Sequence, residues 1–475
     1  GKTGLGSERG VREKDVESAG QVPPDVELGA ARMLEVDRHH GRLGDLRAFS
    51  RDECHAMSGG SQAAGEVQDH ALGAAVRGRG KPVPEEDRDV HRPTNLSPTA
   101  SLFPPMTLRV LQVLHQGGGA GSVTSTLHLA AGLERAGVVV RFVCPPGSEV
   151  EALARGRGLD VHPLALPARQ LTANAAALRH LLDRTPADLV NSQSSRDREA
   201  LVWLALRRRL GVPLVVTRRQ MPRTTYAMNW LTSRAAGRVI AVSRPVARAL
   251  ERKGTPREKL VVIPNGLVAE RVDAPVGPGA VDAWRRRIGW SPERRTMGIV
   301  ARLKDQAVVL DSLEHVSTPV LLVLAGVDSV VDLGRRAQDV PRRHAVACVP
   351  FDPEVRPLYD LLDLVLLPSR IEGCSQSLLE AMALGMPVIA SAAGGNLDLV
   401  SPETDGLLVP PLDPHAWASA IERVLGDPAL ARSLGDAARR TARETFSLTR
   451  TVERTLALYR SLVPSAPLAP AAGAR

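Results

Sequence analysis

The residues best placed to do chemistry lie in Pro368-Ser-Arg-Ile-Glu372-Gly-Cys-Ser-Gln-Ser-Leu-Leu-Glu380-Ala-Met-Ala-Leu-Gly-Met-Pro387. A strand is expected to end at Leu367–Pro368, a loop to carry Glu372, and a helix to begin near Ser375 with Glu380 on its second turn. Ser375 or Ser377 suits the N-cap. The first N–H groups of a helix have no internal acceptor, which makes them a ready anion site. Glu372, in the loop, suits an acceptor of sugar hydroxyls. Glu380 stands about 7.5 Å along the axis from the helix start, at roughly 1.5 Å per residue. Two such carboxylates can hold different parts of one extended ligand. A capped helix with solvent-facing glutamates is the plain alternative.

Val300-Ala-Arg302-Leu-Lys304 puts two cations just after another apolar run. There they would neutralise charge growing on a leaving diphosphate, or simply face solvent. Ala393-Gly394-Gly395-Asn396-Leu397-Asp398 can bring backbone close to a ligand, or can merely turn a strand into a helix. Gly117–Gly121, with Gly118 and Gly119 inside it, follows the first strand. It meets the dinucleotide spacing poorly, and a tight turn is the alternative. Asn191-Ser-Gln193-Ser194-Ser195-Arg196 and Thr217-Arg218-Arg219-Gln220 also follow strands. Arginine is no base at neutral pH, so Arg218 and Arg219 suit an anionic acceptor instead. His115, His128 and Cys374 are read as packing or surface residues.

Together these segments resemble the glycosyltransferases of family 4, also called glycosyl transferases group 1, which are retaining enzymes of GT-B fold. The E-x7-E signature, with its PS–EG and EAMA–G–PVI flanks, carries the resemblance, which runs from about Leu108 to Val463. It implies that Glu372 contacts the donor sugar and Glu380 the ribose, with the Ser377–Leu378 backbone facing the diphosphate. Arg302 and Lys304 would stabilise the leaving group. Gly394, Gly395, Gly118 and Gly119 would line the donor, and Arg218, Arg219 and Ser194 the acceptor side. Two departures stand out. The Arg302–Lys304 loop is about three residues shorter than usual, and the usual acceptor-side histidines are replaced near Asn191, Gln193 and Arg219. The resemblance implies a nucleotide-diphosphate-sugar as co-substrate, no cofactor and no metal.

Positioning these residues requires alternating strands and helices. Mostly apolar runs such as Leu108–Leu114, Val320–Ala325 and Leu364–Pro368 have the pattern of buried parallel strands. They alternate with helical segments, which predicts open parallel sheets with ligands beyond the carboxyl ends of the strands. The expected fold is α/β: two Rossmann-like doubly wound domains facing a cleft. Residues 106–265 form the acceptor-side domain, 266–282 a Pro/Gly linker and 283–445 the donor domain. Residues 446–464 form a helix crossing back, and 465–475 a disordered tail. Residues 1–105 lack a sustained period and read as a disordered extension or a mis-assigned start near Met106, with a short helix at Val26–Leu46 as the competing reading.

Composition narrows the function. The 475 residues carry four dispersed cysteines and no zinc spacing, which argues against a disulfide scaffold. No apolar run reaches membrane-spanning length; the cysteine usage fits a reducing cytoplasm, which is the expected location. The net charge of +9 favours phosphorylated ligands or anionic lipid, and with 3% aromatics and no reader motif nucleic acid is not expected. Arg207-Arg-Arg209 with Arg218, Arg219 and Arg223 reads as a solvated face or as peripheral contact with an anionic membrane. The expected activity is transfer of a sugar from a nucleotide-diphosphate-sugar to a carbohydrate or lipid-linked acceptor, as in envelope polysaccharide or glycolipid synthesis. The alternatives are a nucleotide-sugar epimerase or hydrolase, a non-catalytic nucleotide-sugar-binding protein and, more distantly, a Rossmann oxidoreductase.

Overall fold

The computed structural model of the protein describes residues 107–118 and 121–463. The expectations for residues 1–105, for the tail 465–475 and for Gly119 fall outside them. Among the described residues thirteen strands build two parallel sheets. The first contains β1 (Arg109–Val113), β2 (Val139–Cys144), β3 (Asp160–Pro163), β4 (Leu189–Ser192), β5 (Leu214–Arg218), β6 (Arg238–Ala241) and β7 (Leu260–Val262). Its order is β3-β2-β1-β4-β5-β6-β7. The second contains β8 (Arg295–Val300), β9 (Val320–Ala325), β10 (Ala345–Val349), β11 (Leu364–Leu367), β12 (Val388–Ser391) and β13 (Leu407–Val409). Its order is β10-β9-β8-β11-β12-β13.

Both sheets therefore reverse direction at one place, between β1 and β4 and between β8 and β11. At such a switch point the loops on either side diverge and leave a crevice. The expectation of two doubly wound halves holds. Strands buried on both faces need continuous apolar sequence, and β9 (VLLVLA) is buried along its whole length.

The segment read as a Pro/Gly connector holds regular structure, because a helix Ala269–Asp273 forms within it. A second helix, Ala280–Ile288, follows after Pro278 and Gly279 and buries Trp284 and Ile288. The last helix, Leu448–Leu462, packs on the first sheet. Its Leu448, Val452, Leu456 and Tyr459 join Val110, Leu127 and Leu133 in one apolar cluster. The two passages of chain between the sheets lie side by side: Leu267 N–H donates to Phe446 O at 2.6 Å, and Leu448 N–H to Leu267 O at 2.9 Å. Under them Tyr459 is fully buried, and its hydroxyl accepts from Gln112 Nε2 at 3.0 Å and Asn191 Nδ2 at 2.5 Å.

Candidate functional site

The second switch point gathers most of the expected donor residues. Lys304, after β8, forms an ion pair with Glu372, after β11, so one salt bridge spans the crevice mouth. The short Arg302–Lys304 loop is braced from behind. Gln306, 1% exposed, donates through Nε2 to Arg302 O at 2.8 Å and accepts from the Lys304 N–H. Asp305 ties this loop to its neighbour, accepting from Arg370 N at 2.9 Å and Arg370 Nε at 3.0 Å. Arg302 is exposed beside them. Asp305 and Gln306 escaped the sequence reading, although they directly follow the cations whose loop they hold.

Helix Gln376–Ala383 starts where expected. Ser375 is its N-cap and accepts from Leu378 N at 3.4 Å. That cap changes the donor set at this end. The Leu378 N–H is directed at Ser375, so the Gln376 and Ser377 N–H groups are the ones that point out of the first turn. Ser377 also offers its carbonyl to the Tyr359 hydroxyl at 3.2 Å. Glu380 is 8% exposed and accepts from Arg271 Nε of the connector helix at 2.7 Å. It stands in the wall of a cavity of about 590 Å³ shared with Arg271, Tyr359, Trp284 and Arg356. Glu372 does not line that cavity. The two glutamates thus belong to different pairs, one at the crevice mouth and one towards the connector.

Gly394 and Gly395 serve a purpose the sequence reading did not assign. A methyl on Gly395 would lie 1.9 Å from Gly373 O, and one on Gly394 would lie 2.8 Å from Glu372 O. Gly394 also has φ +53°, in the left-handed region. Their bare faces are turned to the Glu372 loop. Gly395 N–H donates to Glu372 O at 2.9 Å. On its opposite side that loop meets the first domain, since a methyl on Gly373 would lie 2.0 Å from Arg219 O. Asn265 Nδ2 donates to Cys374 O at 3.2 Å across the same seam. Burial pushes the Cys374 thiol up to about 12, which makes it a packing residue. Asp398 reaches across as well, accepting from Arg244 N at 2.5 Å at the start of helix Arg244–Arg252.

The first switch point carries a polar cluster that the sequence reading missed. His115, after β1, meets Ser194 and Asp197, after β4. His115 Nδ1 lies 2.6 Å from Ser194 Oγ and 3.0 Å from Asp197 Oδ1. Asp197 is fully buried and also accepts from Ser192 Oγ, Gln193 N and Ser194 N at 2.8–2.9 Å. Burial alone would raise its pKa, but the hydrogen bonds from His115 and Ser194 outweigh it and hold the carboxyl below its ordinary value. A carboxylate only accepts, so the His115 Nδ1 carries a proton towards Asp197. Ser194, expected on the acceptor side, has its hydroxyl bonded to His115 and Asp197 in this cluster. No local pattern announces the cluster, because 82 residues separate His115 from Asp197.

Gly118 is exposed, with open space where a side chain would be. Arg219 donates to Gln193 Oε1 at 3.2 Å and to Asn265 Oδ1, and burial lowers its pKa to about 10. Arg218 points the other way, under helix Tyr226–Ala235. It donates to Asn229 Oδ1 at 3.2 Å and Thr224 Oγ1 at 3.3 Å. The two arginines expected together are therefore held apart by the alternation of the strand end.

Two family models match this arrangement, Glycosyltransferase Family 4 over residues 119–271 and Glycosyl transferases group 1 over residues 281–441. The chain belongs to the family 4 glycosyltransferases. Among curated relatives of this family, it is 28% identical over 245 residues to an uncharacterized glycosyltransferase of Methanocaldococcus jannaschii, covering 50% of this chain and 63% of that one. It is 32% identical over 223 residues to a D-inositol 3-phosphate glycosyltransferase of Xylanimonas cellulosilytica, covering 44% and 53%. It is 29% identical over 289 residues to a 2-deoxystreptamine glucosyltransferase of Streptomyces kanamyceticus, covering 54% and 73%. The match to the first two thus spans only 63% and 53% of their lengths. Anabaena HepE, solved in complex with UDP, superposes with a TM-score of 0.66 at 21% identity, over 75% of this chain and 100% of that one. That likeness gives the GT-B fold.

Proposed function

We propose that the chain transfers a sugar from a nucleotide-diphosphate-sugar to a carbohydrate or lipid-linked acceptor, with retention at the anomeric carbon. The observation that carries this reading is the Lys304–Glu372 pair across the second switch point, beside the open first turn of helix Gln376–Ala383. In this reading Lys304 and Arg302 neutralise the diphosphate as it leaves, and the first-turn N–H groups support the same charge. When donor enters, Lys304 turns from Glu372 to phosphate, and the freed Glu372 carboxylate accepts from sugar hydroxyls. The leaving phosphate oxygen takes the acceptor proton, so no side-chain base is needed at the place held by Arg219. Charge neutralisation by these two cations needs no metal ion.

The relatives' names support a glycosyl acceptor outside nucleic acid. A role in envelope polysaccharide or glycolipid synthesis is in keeping with the outer face of the first domain. Tyr226, Trp230 and Leu206 are exposed there beside Arg234 and Arg207, a pairing suited to an anionic membrane surface on the cytoplasmic side. Among the described residues no helix is long and apolar enough to cross a membrane.

The test is donor turnover by the full chain over a panel of UDP-, GDP- and ADP-sugars, with UDP-glucose first because a fold neighbour was solved with it. Glu372→Gln and Arg302→Ala are each expected to lower kcat at least 100-fold with the melting temperature unchanged. Near-wild-type turnover in either variant refutes the assigned roles. Arg219, locked in the seam, favours a second reading, a donor-binding protein without transfer. Tight donor binding with no turnover would select it.

A further inference from the structure

Two arginines of the first domain are buried without a carboxylate partner. Arg198, in helix Ser195–Leu206, is 5% exposed, and Arg218, at the end of β5, is 7% exposed. Neither forms an ion pair with any described residue. Arg218 has only neutral acceptors, Asn229 and Thr224. Arg198 donates to Ser194 O at 3.4 Å, and its Nε has no partner. Asn229 is 1% exposed, and its Nδ2 also lacks a partner. The charges of Asp197 and Glu199 reach Arg198 without an ion pair, and Asp197 is already occupied by His115 and the β4 turn. Burial, with the Arg198 charge adding to it, holds the Arg218 pKa down to about 9.

An isolated charge is costly to bury, and a buried cation without an anion is normally eliminated or paired. Here Arg218 is bonded to Asn229 at the carboxyl end of β5, and helix Ser195–Leu206, which carries Arg198, packs against helix Tyr226–Ala235, which carries Asn229. Ligands of such sheets bind beyond the carboxyl ends of the strands. The segment 219–225 has no regular helix or strand and reaches Arg218 through Thr224.

We infer that Arg198, Arg218 and Asn229 form a binding site for a phosphate group, the anionic substituent of the acceptor. A phosphate monoester carries close to two negative charges near pH 7, which matches the two guanidiniums, and its oxygens accept from Arg198 Nε and Asn229 Nδ2. The assignment to the acceptor rests on the transferase reading. The anion site itself does not, since it involves none of Glu372, Lys304 or Arg302.

The experiment measures phosphate binding to the full chain by calorimetry at constant ionic strength. Inorganic phosphate and glycerol 3-phosphate are the probes. Arg302→Ala removes a cation of the donor site and is expected to keep one phosphate site. Arg218→Met and Arg198→Met are expected to weaken that site at least tenfold. Asn229→Asp supplies the missing carboxylate from within, so it should raise the melting temperature without phosphate and abolish the response to it. This last result is not expected of a merely structural asparagine, and it reads the site even if an arginine variant fails to fold. No phosphate binding by the wild type, loss of all binding in Arg302→Ala, or an unchanged response in Asn229→Asp overturns the site. Binding of inorganic phosphate with exclusion of glycerol 3-phosphate assigns the site to free phosphate and overturns the acceptor role. Donor turnover, assayed separately, shows whether the transferase reading stands.

Discussion

Gly395→Ala is the sharpest probe of how the Glu372 loop is held. At Gly395 φ is −67°, so alanine meets no backbone objection there. The obstacle is contact. The new methyl would lie 1.9 Å from Gly373 O and 2.6 Å from Gly373 C, whereas ordinary contact begins at 3.4 Å. About 1.5 Å must therefore open against backbone, which cannot swing aside as a long side chain can. The loop has no room to retreat, because Gly373 is pressed on its other side by Arg219 O. Overpacking of this kind costs about 1–3 kcal/mol in stability. A misplacement of about 1 Å at reacting groups can cost about 100-fold in rate. Gly395→Ala is accordingly expected to lower donor kcat/KM about 100-fold, with a modest fall in melting temperature. Gly118→Ala, with open space around its methyl, serves as the control and should keep the wild-type melting temperature. The reasoning fails if Gly395→Ala matches wild type within threefold in kcat/KM and also in melting temperature.

Two further outcomes follow from buried polar groups. Burial lowers the His128 pKa from 6.5 to about 4. Above pH 6.5 both states are neutral and His128 adds no pH dependence. As pH falls from 6.5 towards 4 the unfolded state takes up a proton the native state lacks, so stability drops, by at most about 3 kcal/mol. His128→Leu should flatten that part of the curve in urea titrations between pH 7 and 4.5; an equal slope in both proteins would contradict it. Tyr459→Phe leaves Gln112 Nε2 and Asn191 Nδ2 without their shared acceptor. It should cost about 1–3 kcal/mol, and a change below about 0.5 kcal/mol in urea unfolding would show that the pair is satisfied in another way.

The strands were the legible part of the fold. Runs such as Val320–Ala325 are apolar throughout because both faces are covered, and no other local pattern competes with them. Helix Ala280–Ile288 was illegible for the opposite reason. It follows Gly277-Pro-Gly279, carries Arg285, Arg286 and Arg287, and buries only Trp284 and Ile288, so its local text reads as a polar connector. In the site, the cations and glutamates were visible because their spacing is short-range. The His115–Asp197 pair was invisible because the strand order, not the sequence order, brings β1 beside β4. Gly394 and Gly395 stand out in the sequence, but only the fold shows that they face the Glu372 backbone.

The returning helix Leu448–Leu462 sets the order in which this molecule can be completed. Its Val452 methyl fills the space left by Gly132, where any side chain would come within 2.6 Å. Leu456 and Tyr459 close the apolar cluster begun by β1. During synthesis, therefore, the half made first emerges with one flank of its core bare. It stays so while the whole second half is translated, some 180 residues from Leu267 to Leu448. The second sheet can close upon itself in that interval, and the first cannot. The half that begins last finishes first, and a ribosome stalled anywhere before Leu448 releases an N-terminal domain with apolar surface exposed to aggregation and chaperones.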